Sequence, residues 1–131
     1  MKKLIAVIER NEDSYFAYIE EIDGCVAGGK NYNEVKSNLD DILNLMIDEE
    51  EEVRQLLRNG YRIIFEVNLE SVFDLIPEIN ISQLAKTGRI NPGLLRQYVS
   101  GTKRASERQT DKVMKAIQLL STKLNSISLT T

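Results

Sequence analysis

The order of apolar and polar positions predicts a strand-rich first half. Residues 3–9 alternate only weakly and are rich in Ile, Leu and Val, which suits a strand buried on most of its surface, and residues 14–21 are predicted to form a second strand. Turn residues follow each strand, at 11–13 and at Asp23-Gly24, and a short third strand follows at 25–28. Because turns this short join antiparallel neighbours, the three strands are predicted to form a meander.

A helix with one buried stripe follows the meander. Apolar residues recur at the spacing of one helical face, first at Val35, Leu39, Ile42, Leu43, Met46 and Ile47 and then at Val53, Leu56 and Leu57. Asn31 or Asn33 is suited to cap the start of this helix and Gly60 its end. Residues 61–68 form a fourth strand. Residues 1–68 are therefore predicted to be a βββαβ domain, a small antiparallel sheet with one covering helix.

The second strand has two chemically different faces. Tyr15, Ala17 and Ile19 lie on one face and Phe16 and Tyr18 on the other. If the helix covers the first face, the second exposes aromatic side chains, and such surfaces usually bind a partner. The alternative is that the C-terminal half or a second copy of the chain covers them. The partner-binding residues predicted on this basis are Phe16, Tyr18 and Glu20.

The second half, residues 69–131, reads as an all-α domain. Helices are predicted at 69–78 and at 81–87, the latter capped by Asn80. After a turn at Gly88-Arg89, a third helix is capped by Asn91, begins at Pro92 and ends at Gly101. A longer helix follows from 106 to about 125, with Val113, Ile117, Leu120 and Leu124 as its inward stripe. The whole chain is therefore predicted to be α+β.

Charge divides the chain near the same place. The net charge is −3, but residues 1–76 contain 8 Lys and Arg against 17 Asp and Glu, while residues 77–131 contain 9 against 3. A basic segment attached to an acidic one suggests that only the second half meets a polyanion. The alternative is chance clustering of surface charge.

Composition narrows the possible chemistry. No apolar run approaches the roughly 20 residues that span a bilayer, and the opening MKKLIAVIERNED reads as a strand rather than a signal peptide. The chain has no His and a single Cys25, which argues against zinc motifs and Ser-His or Cys-His nucleophiles. Cys25 is expected to be a small buried hydrophobe. We expect a cytoplasmic protein without cofactors.

The run of helix, tight turn and helix from Asn80 to Gly101 resembles the helix-turn-helix of Cro/repressor-type DNA-binding proteins. The resemblance rests on Leu84-Ala85, the turn before Ile90, and the run from Leu95 to Gly101 that precedes Lys103-Arg104. In that family the second helix enters the major groove. The resemblance implies base or nearby phosphate contacts from Asn91, Gly93, Arg96 and Gln97, and backbone contacts from Thr102, Lys103 and Arg104. Arg and Gln can each form two hydrogen bonds with a base, whereas Lys and Arg on a turn neutralise phosphates.

The turn departs from the family pattern. The family usually has Gly directly before the apolar residue that follows the turn, but Arg89 is in that position here and Gly88 precedes it. A shift of one residue in the turn, and therefore in the contacts of the next helix, is left open. The alternative to DNA binding is an oligomerisation bundle with a basic surface.

Residues 3–68 resemble the HicB antitoxin domain. The matching segment is Ser14–Ile19 (SYFAYI) followed by Asp23–Gly28 (DGCVAG) and an amphipathic helix, with Asp23 where the family commonly has Pro. The resemblance implies a truncated ribonuclease-H-like fold and a HicA-type toxin partner that cleaves mRNA. It also implies a C-terminal DNA-binding domain. We expect this domain to bind operator DNA as a homodimer or higher homo-oligomer, because a single helix-turn-helix unit usually needs a second half-site. An acidic domain suits such a partner, because a protein that binds RNA is basic.

Ribonuclease-H ancestry raises the question of catalysis. Candidate metal-binding carboxylates by residue type are Glu9, Glu20, Asp40, Asp41 and Asp48. No pattern fixes three of them around one point, so neither a metal site nor enzymatic activity is expected. Two alternatives to the antitoxin are kept. One is a stand-alone DNA-binding regulator whose N-terminal domain oligomerises or senses a ligand, and the other is a metal-dependent nuclease.

Overall fold

The computed structural model describes residues 1–131. It contains a four-stranded sheet and six helices, and the chain divides into two units, Met1–Asn68 and Leu69–Thr131. The first unit holds the whole sheet and two helices, and the second holds the other four helices.

The first unit contains β1 (Lys2–Arg10), β2 (Tyr15–Ile19), β3 (Val26–Gly29), α1 (Tyr32–Glu49), α2 (Glu51–Leu56) and β4 (Tyr61–Glu66). The strands are ordered β3-β2-β1-β4. β2 pairs antiparallel with both β1 and β3, which confirms the predicted meander.

The fourth strand runs parallel to β1, so the sheet is mixed and the prediction of an antiparallel sheet is wrong for β4. β3 is two antiparallel steps from β1 and therefore runs in the same direction as β1. The helical connection after β3 returns the chain along the sheet, so β4 starts at the same end as β3 and also runs with β1.

The connection holds two helices, which corrects the prediction of one covering helix. The break is at Glu50, whose backbone is extended with φ −116° and ψ 115°. It falls inside the acidic run 48–52, where negative charge opposes the dipole at the C-terminal end of α1. Arg54 then returns to that end, where its guanidinium donates to the carbonyl oxygen of Asp48 at 3.1 Å.

One face of the sheet forms the core of the first unit together with α1. The completely buried side chains are Leu4, Ala6 and Ala17 from the sheet, Cys25 from the loop before β3, and Val35, Leu39 and Leu43 from α1. Burial raises the pKa of the Cys25 thiol, with a further contribution from the Glu50 charge, so the thiol stays protonated at neutral pH. Cys25 is thus a small buried hydrophobe, as the sequence predicted.

The second unit contains α3 (Leu69–Leu75), α4 (Ile81–Thr87), α5 (Pro92–Val99) and α6 (Glu107–Asn125). Its buried cluster draws residues from all four helices and the turn before α5: Phe73, Leu84, Ala85, Ile90, Leu95, Tyr98, Val113 and Ala116. The caps predicted for α4 and α5 are confirmed, since Asn80 Oδ1 accepts from the Gln83 N–H at 3.0 Å and Asn91 Oδ1 from the Leu94 N–H at 3.1 Å.

The inward stripe of α6 is shorter than predicted. Val113 is buried and Ile117 and Leu120 are partly buried, but Leu124 is 64% exposed, so its assignment to the core is wrong. The reason is length. α6 has 19 residues, whereas α4, which packs against it, has 7, and a helix that short cannot cover a helix of about 28 Å.

The turn between α4 and α5 answers the question left open by the sequence. Arg89, directly before Ile90, has φ +56° and is the only non-glycine residue with positive φ. The Ile90 N–H donates to the Ala85 carbonyl at 2.9 Å and the Arg89 N–H to the Lys86 carbonyl at 3.2 Å. These two bonds are the Schellman motif that ends a helix on a left-handed residue. The left-handed position of this turn is therefore Arg89, directly before Ile90.

Gly88 is needed for close packing against α6 rather than for a left-handed backbone. Its backbone is right-handed, with φ −83° and ψ −2°. A Cβ at this position would come within 3.3 Å of the Ala116 Cβ and 3.4 Å of the Lys112 carbonyl oxygen. Glycine at 88 therefore permits close approach to α6, while the left-handed conformation falls on a residue with a side chain.

The turn predicts a difference between two substitutions that remove the same charge. Arg89→Gly should increase the free energy of unfolding. That free energy should be about 1 kcal/mol higher in the Gly variant than in Arg89→Ala, because only glycine adopts positive φ without steric cost. Chemical denaturation of the three proteins measures this difference. Gly88→Ala is the control and should lower stability. Equal stability of the Gly and Ala variants at 89 would contradict a left-handed residue there.

Candidate functional site

α5 presents one exposed polar face in the basic half of the chain. Leu95 and Tyr98 are buried and fix the orientation of the helix. Gly93, Arg96 and Gln97, all predicted DNA contacts, are exposed, and their spacing of three and four residues places them on one side. Three of the predicted residues thus share a surface.

Asn91 and Gly93 support the start of that face. Asn91 is exposed, and its side-chain oxygen accepts one hydrogen bond as the α5 cap, which leaves its amide NH₂ and one oxygen lone pair available. A Cβ at Gly93 would lie 3.1 Å from Asn91 Oδ1. Glycine at 93 therefore leaves the cap undisturbed and the first turn of α5 narrow.

Arg96 and Gln97 differ in how they are held. The Arg96 guanidinium donates a hydrogen bond to the hydroxyl of Ser82 at the start of α4. The side chain of Gln97 makes no hydrogen bond within the protein, whereas its backbone carbonyl oxygen accepts from the Lys103 N–H and the Ser100 hydroxyl. The sequence pattern gave no sign of Ser82, because it lies 14 residues before its partner and in another helix.

The loop after α5 carries the predicted backbone contacts Thr102, Lys103 and Arg104, and all three are exposed. The Lys103 N–H donates to the Gln97 carbonyl at 3.1 Å, and the hydroxyls of Ser100 and Thr102 are 2.8 Å apart. Gly101, with φ +80°, allows this reversal of the chain. The two basic residues are therefore carried on a loop bonded back to the end of α5.

Further cations lie on the same unit. Lys86 and Arg89 on and after α4, and Arg108 and Lys115 on α6, are exposed. The unit 69–131 has 9 Lys and Arg against 5 Asp and Glu. The charge count, rather than any motif, is the signal that could have pointed to these residues.

The second candidate surface is the open face of the sheet in the first unit. Side chains opposite to the buried core alternate along each strand, and cross-strand pairing brings Val7 opposite Tyr18 and Tyr18 opposite Val26. Phe16 and Tyr18 are half-buried, and Val26 is 49% exposed. Ile5 and Ile64 pair on the same face. The uncovered face is therefore a mainly apolar patch.

Carboxylates border this patch around Tyr18. The Tyr18 hydroxyl donates to Glu9 Oε1 at 3.4 Å, and Glu9 lies opposite Phe16 in the strand register. Partial desolvation raises the pKa of the Tyr18 phenol, and the charges of Glu9 and Glu20 raise it further. All three predicted partner residues, Phe16, Tyr18 and Glu20, are thus near this patch, and Glu9 is an addition that strand register could have supplied.

The carboxylates considered for metal binding do not converge. Asp40 is paired with Lys36 at 3.2 Å on α1, and Asp48 lies at the far end of that helix. No group of three or more Asp, Glu, Cys or His side chains is arranged to hold a metal ion. None of the helices combines the length and apolar character needed to cross a membrane.

Comparison with known proteins gives one short match. The chain is 39% identical over 44 residues to a protein described as "UPF0150 protein" from Helicobacter pylori (strain J99 / ATCC 700824). The aligned segment is 34% of this chain and spans 61% of the length of that relative. No protein-family model matches the chain, and no solved structure matches it significantly.

Proposed function

We propose that this chain is a HicB-type antitoxin and repressor. Its first unit neutralises a HicA-type toxin that cleaves mRNA, and its second unit represses its own operon by binding operator DNA. The observation that carries the proposal is the exposed face of α5, where Gly93, Arg96 and Gln97 lie beside a basic loop. The resemblance of the segment 14–28 to the HicB domain supports the other half of the proposal.

DNA binding would use two kinds of contact. Arg96 and Gln97 project from a helix narrow enough for the major groove, where Arg bonds guanine O6 and N7 and Gln bonds adenine N6 and N7. Lys103 and Arg104, held at the end of α5 by the Lys103 N–H bond to Gln97, would neutralise phosphates. The first pair reads sequence and the second pair sets register and affinity.

Operator binding is proposed to need a homodimer or higher homo-oligomer. A single unit of this kind usually requires a second half-site about one DNA turn away. The inward stripe of α6 continues past the core as exposed Leu124, and Ile127 and Leu129 beyond it are 65% and 93% exposed. A second copy would remove these side chains from water, which is favourable at about 25 cal/mol per Å² of apolar surface.

Toxin binding is assigned to the open face of the sheet. The patch around Phe16, Tyr18 and Val26 supplies the apolar centre that protein interfaces require. Glu9 and Glu20 at its border supply charge complementary to a basic, RNA-binding partner and would speed its association. No enzymatic step is proposed for the chain.

The DNA-binding half is tested with a duplex selected by the wild-type protein from a randomised library. Arg96→Ala with Gln97→Ala should weaken binding to the selected duplex by at least about tenfold, from the roughly 1–3 kcal/mol of each two-bond base contact. Binding to a scrambled duplex should change far less. Fluorescence anisotropy at fixed salt measures both affinities.

Lys103→Ala is the matched control for a contact that does not read sequence. It should weaken binding to both duplexes by the same factor. It should also reduce the slope of log affinity against log salt concentration by about one. If the double variant lost the same factor on selected and scrambled DNA, Arg96 and Gln97 would not read bases.

The toxin-binding half is tested by affinity capture of the tagged full-length chain from its native host. The wild type should retain a small basic protein, and Phe16→Ala with Tyr18→Ala should weaken its binding more than about tenfold, because buried aromatics dominate interface energies. Calorimetry with the purified partner gives the affinities. Leu45→Ala, at a 51% exposed position on α1, is the control and should bind normally.

Two outcomes would oppose this assignment. If the aromatic double variant retained the partner as well as the wild type does, the open face of the sheet would not be part of the interface. Capture of further copies of the chain alone would favour the stand-alone regulator, in which the first unit serves only self-association.

A further inference from the structure

We infer that Ser82 is a positioning residue for sequence reading, which fixes the Arg96 guanidinium without itself contacting a base. The inference rests on the DNA-binding role proposed above. It assigns part of the sequence preference to α4, the helix before the one that carries the predicted base contacts.

The first observation is the hydrogen bond itself. Arg96 is on the exposed face of α5, and its guanidinium donates to the Ser82 hydroxyl at the second residue of α4. A guanidinium has five N–H donors in one plane, and Ser82 engages only one terminal nitrogen. The remaining donors stay available on an exposed residue, so the bond orients the group rather than using it up.

The second observation is that the Ser82 side chain does not cap α4. Serine near a helix start ordinarily serves as a cap, but Asn80 caps α4 by accepting from the Gln83 N–H. Ser82 is partly buried, and the one hydrogen bond of its hydroxyl within the protein is to Arg96. Removing the hydroxyl would therefore release Arg96 and leave the cap of α4 unchanged.

The third observation is the contrast with Gln97. Its side chain has no hydrogen-bond partner within the protein and must be ordered when DNA binds. Arginine loses more rotamer freedom on being fixed than most side chains, and a residue held in advance loses less at the moment of binding. Ser82 thus lowers the cost of the Arg96 contact and leaves the Gln97 contact unaffected.

Base preference is the measurement that separates this role from a structural one. The wild-type protein selects a duplex from a randomised library, and single-base replacements show which position loses discrimination in Arg96→Ala and which in Gln97→Ala. In Ser82→Ala, discrimination should fall by at least about tenfold at the Arg96 position, the loss expected for one hydrogen bond to a charged group. At the Gln97 position it should stay within about twofold.

Three controls complete the test. Ser82→Thr keeps a hydroxyl and should restore the wild-type preference. Ser37→Ala, at an exposed serine on α1, should behave as wild type. In the Arg96→Ala background, Ser82→Ala should have no further effect on DNA affinity, because the two side chains act as one unit.

Failure of DNA binding and failure of the Ser82 role give different results. If wild-type protein selects no duplex at all, DNA binding and the inference fall together. If it selects a duplex but Ser82→Ala retains full discrimination, only the inference is overturned. An equal loss on selected and scrambled DNA, persisting in the Arg96→Ala background, would make Ser82 a direct phosphate contact and would also overturn it.

Discussion

The second unit depends on the Schellman turn that ends α4 on a left-handed Arg89. Its two hydrogen bonds, from Ile90 to Ala85 and from Arg89 to Lys86, reverse the chain within three residues and place Ile90 in the core. Because Gly88 lets this turn approach α6 closely, α4 packs against α6, and α5 packs in turn against α4. A non-glycine residue at positive φ costs about 1–2 kcal/mol, which the surrounding packing must offset.

This turn also sets the direction of α5 and therefore determines which of its side chains are exposed. Burial of Leu95 on α5 turns Arg96 and Gln97 to the outside, and the loop bonded to the end of the helix carries Lys103 with them. The other unit has the opposite charge and an open apolar sheet face. A chain with one acidic and one basic unit can attract two different partners without the two surfaces competing for one ligand.

Local signals were enough to predict some elements and not others. The bounds of α4 and α5 followed from capping side chains such as Asn91, which act over three or four residues. The direction of β4 could not be predicted in this way, because the residue pattern of a strand is the same whether it pairs parallel or antiparallel with its neighbour. The exposure of Leu124 depends on the lengths of other helices. The bond from Arg96 to Ser82 joins separate helices and leaves no periodic trace in the sequence.

Hydroxyl-radical footprinting of the full-length protein on its selected duplex tests most directly whether this is an operator-binding oligomer. Two α5 helices related by symmetry should protect two segments whose centres are about 10–10.5 base pairs apart, or a multiple of that spacing. Protection should disappear on the scrambled duplex at the same salt concentration. A uniform, sequence-independent footprint, or none at all, would contradict operator binding by the basic unit.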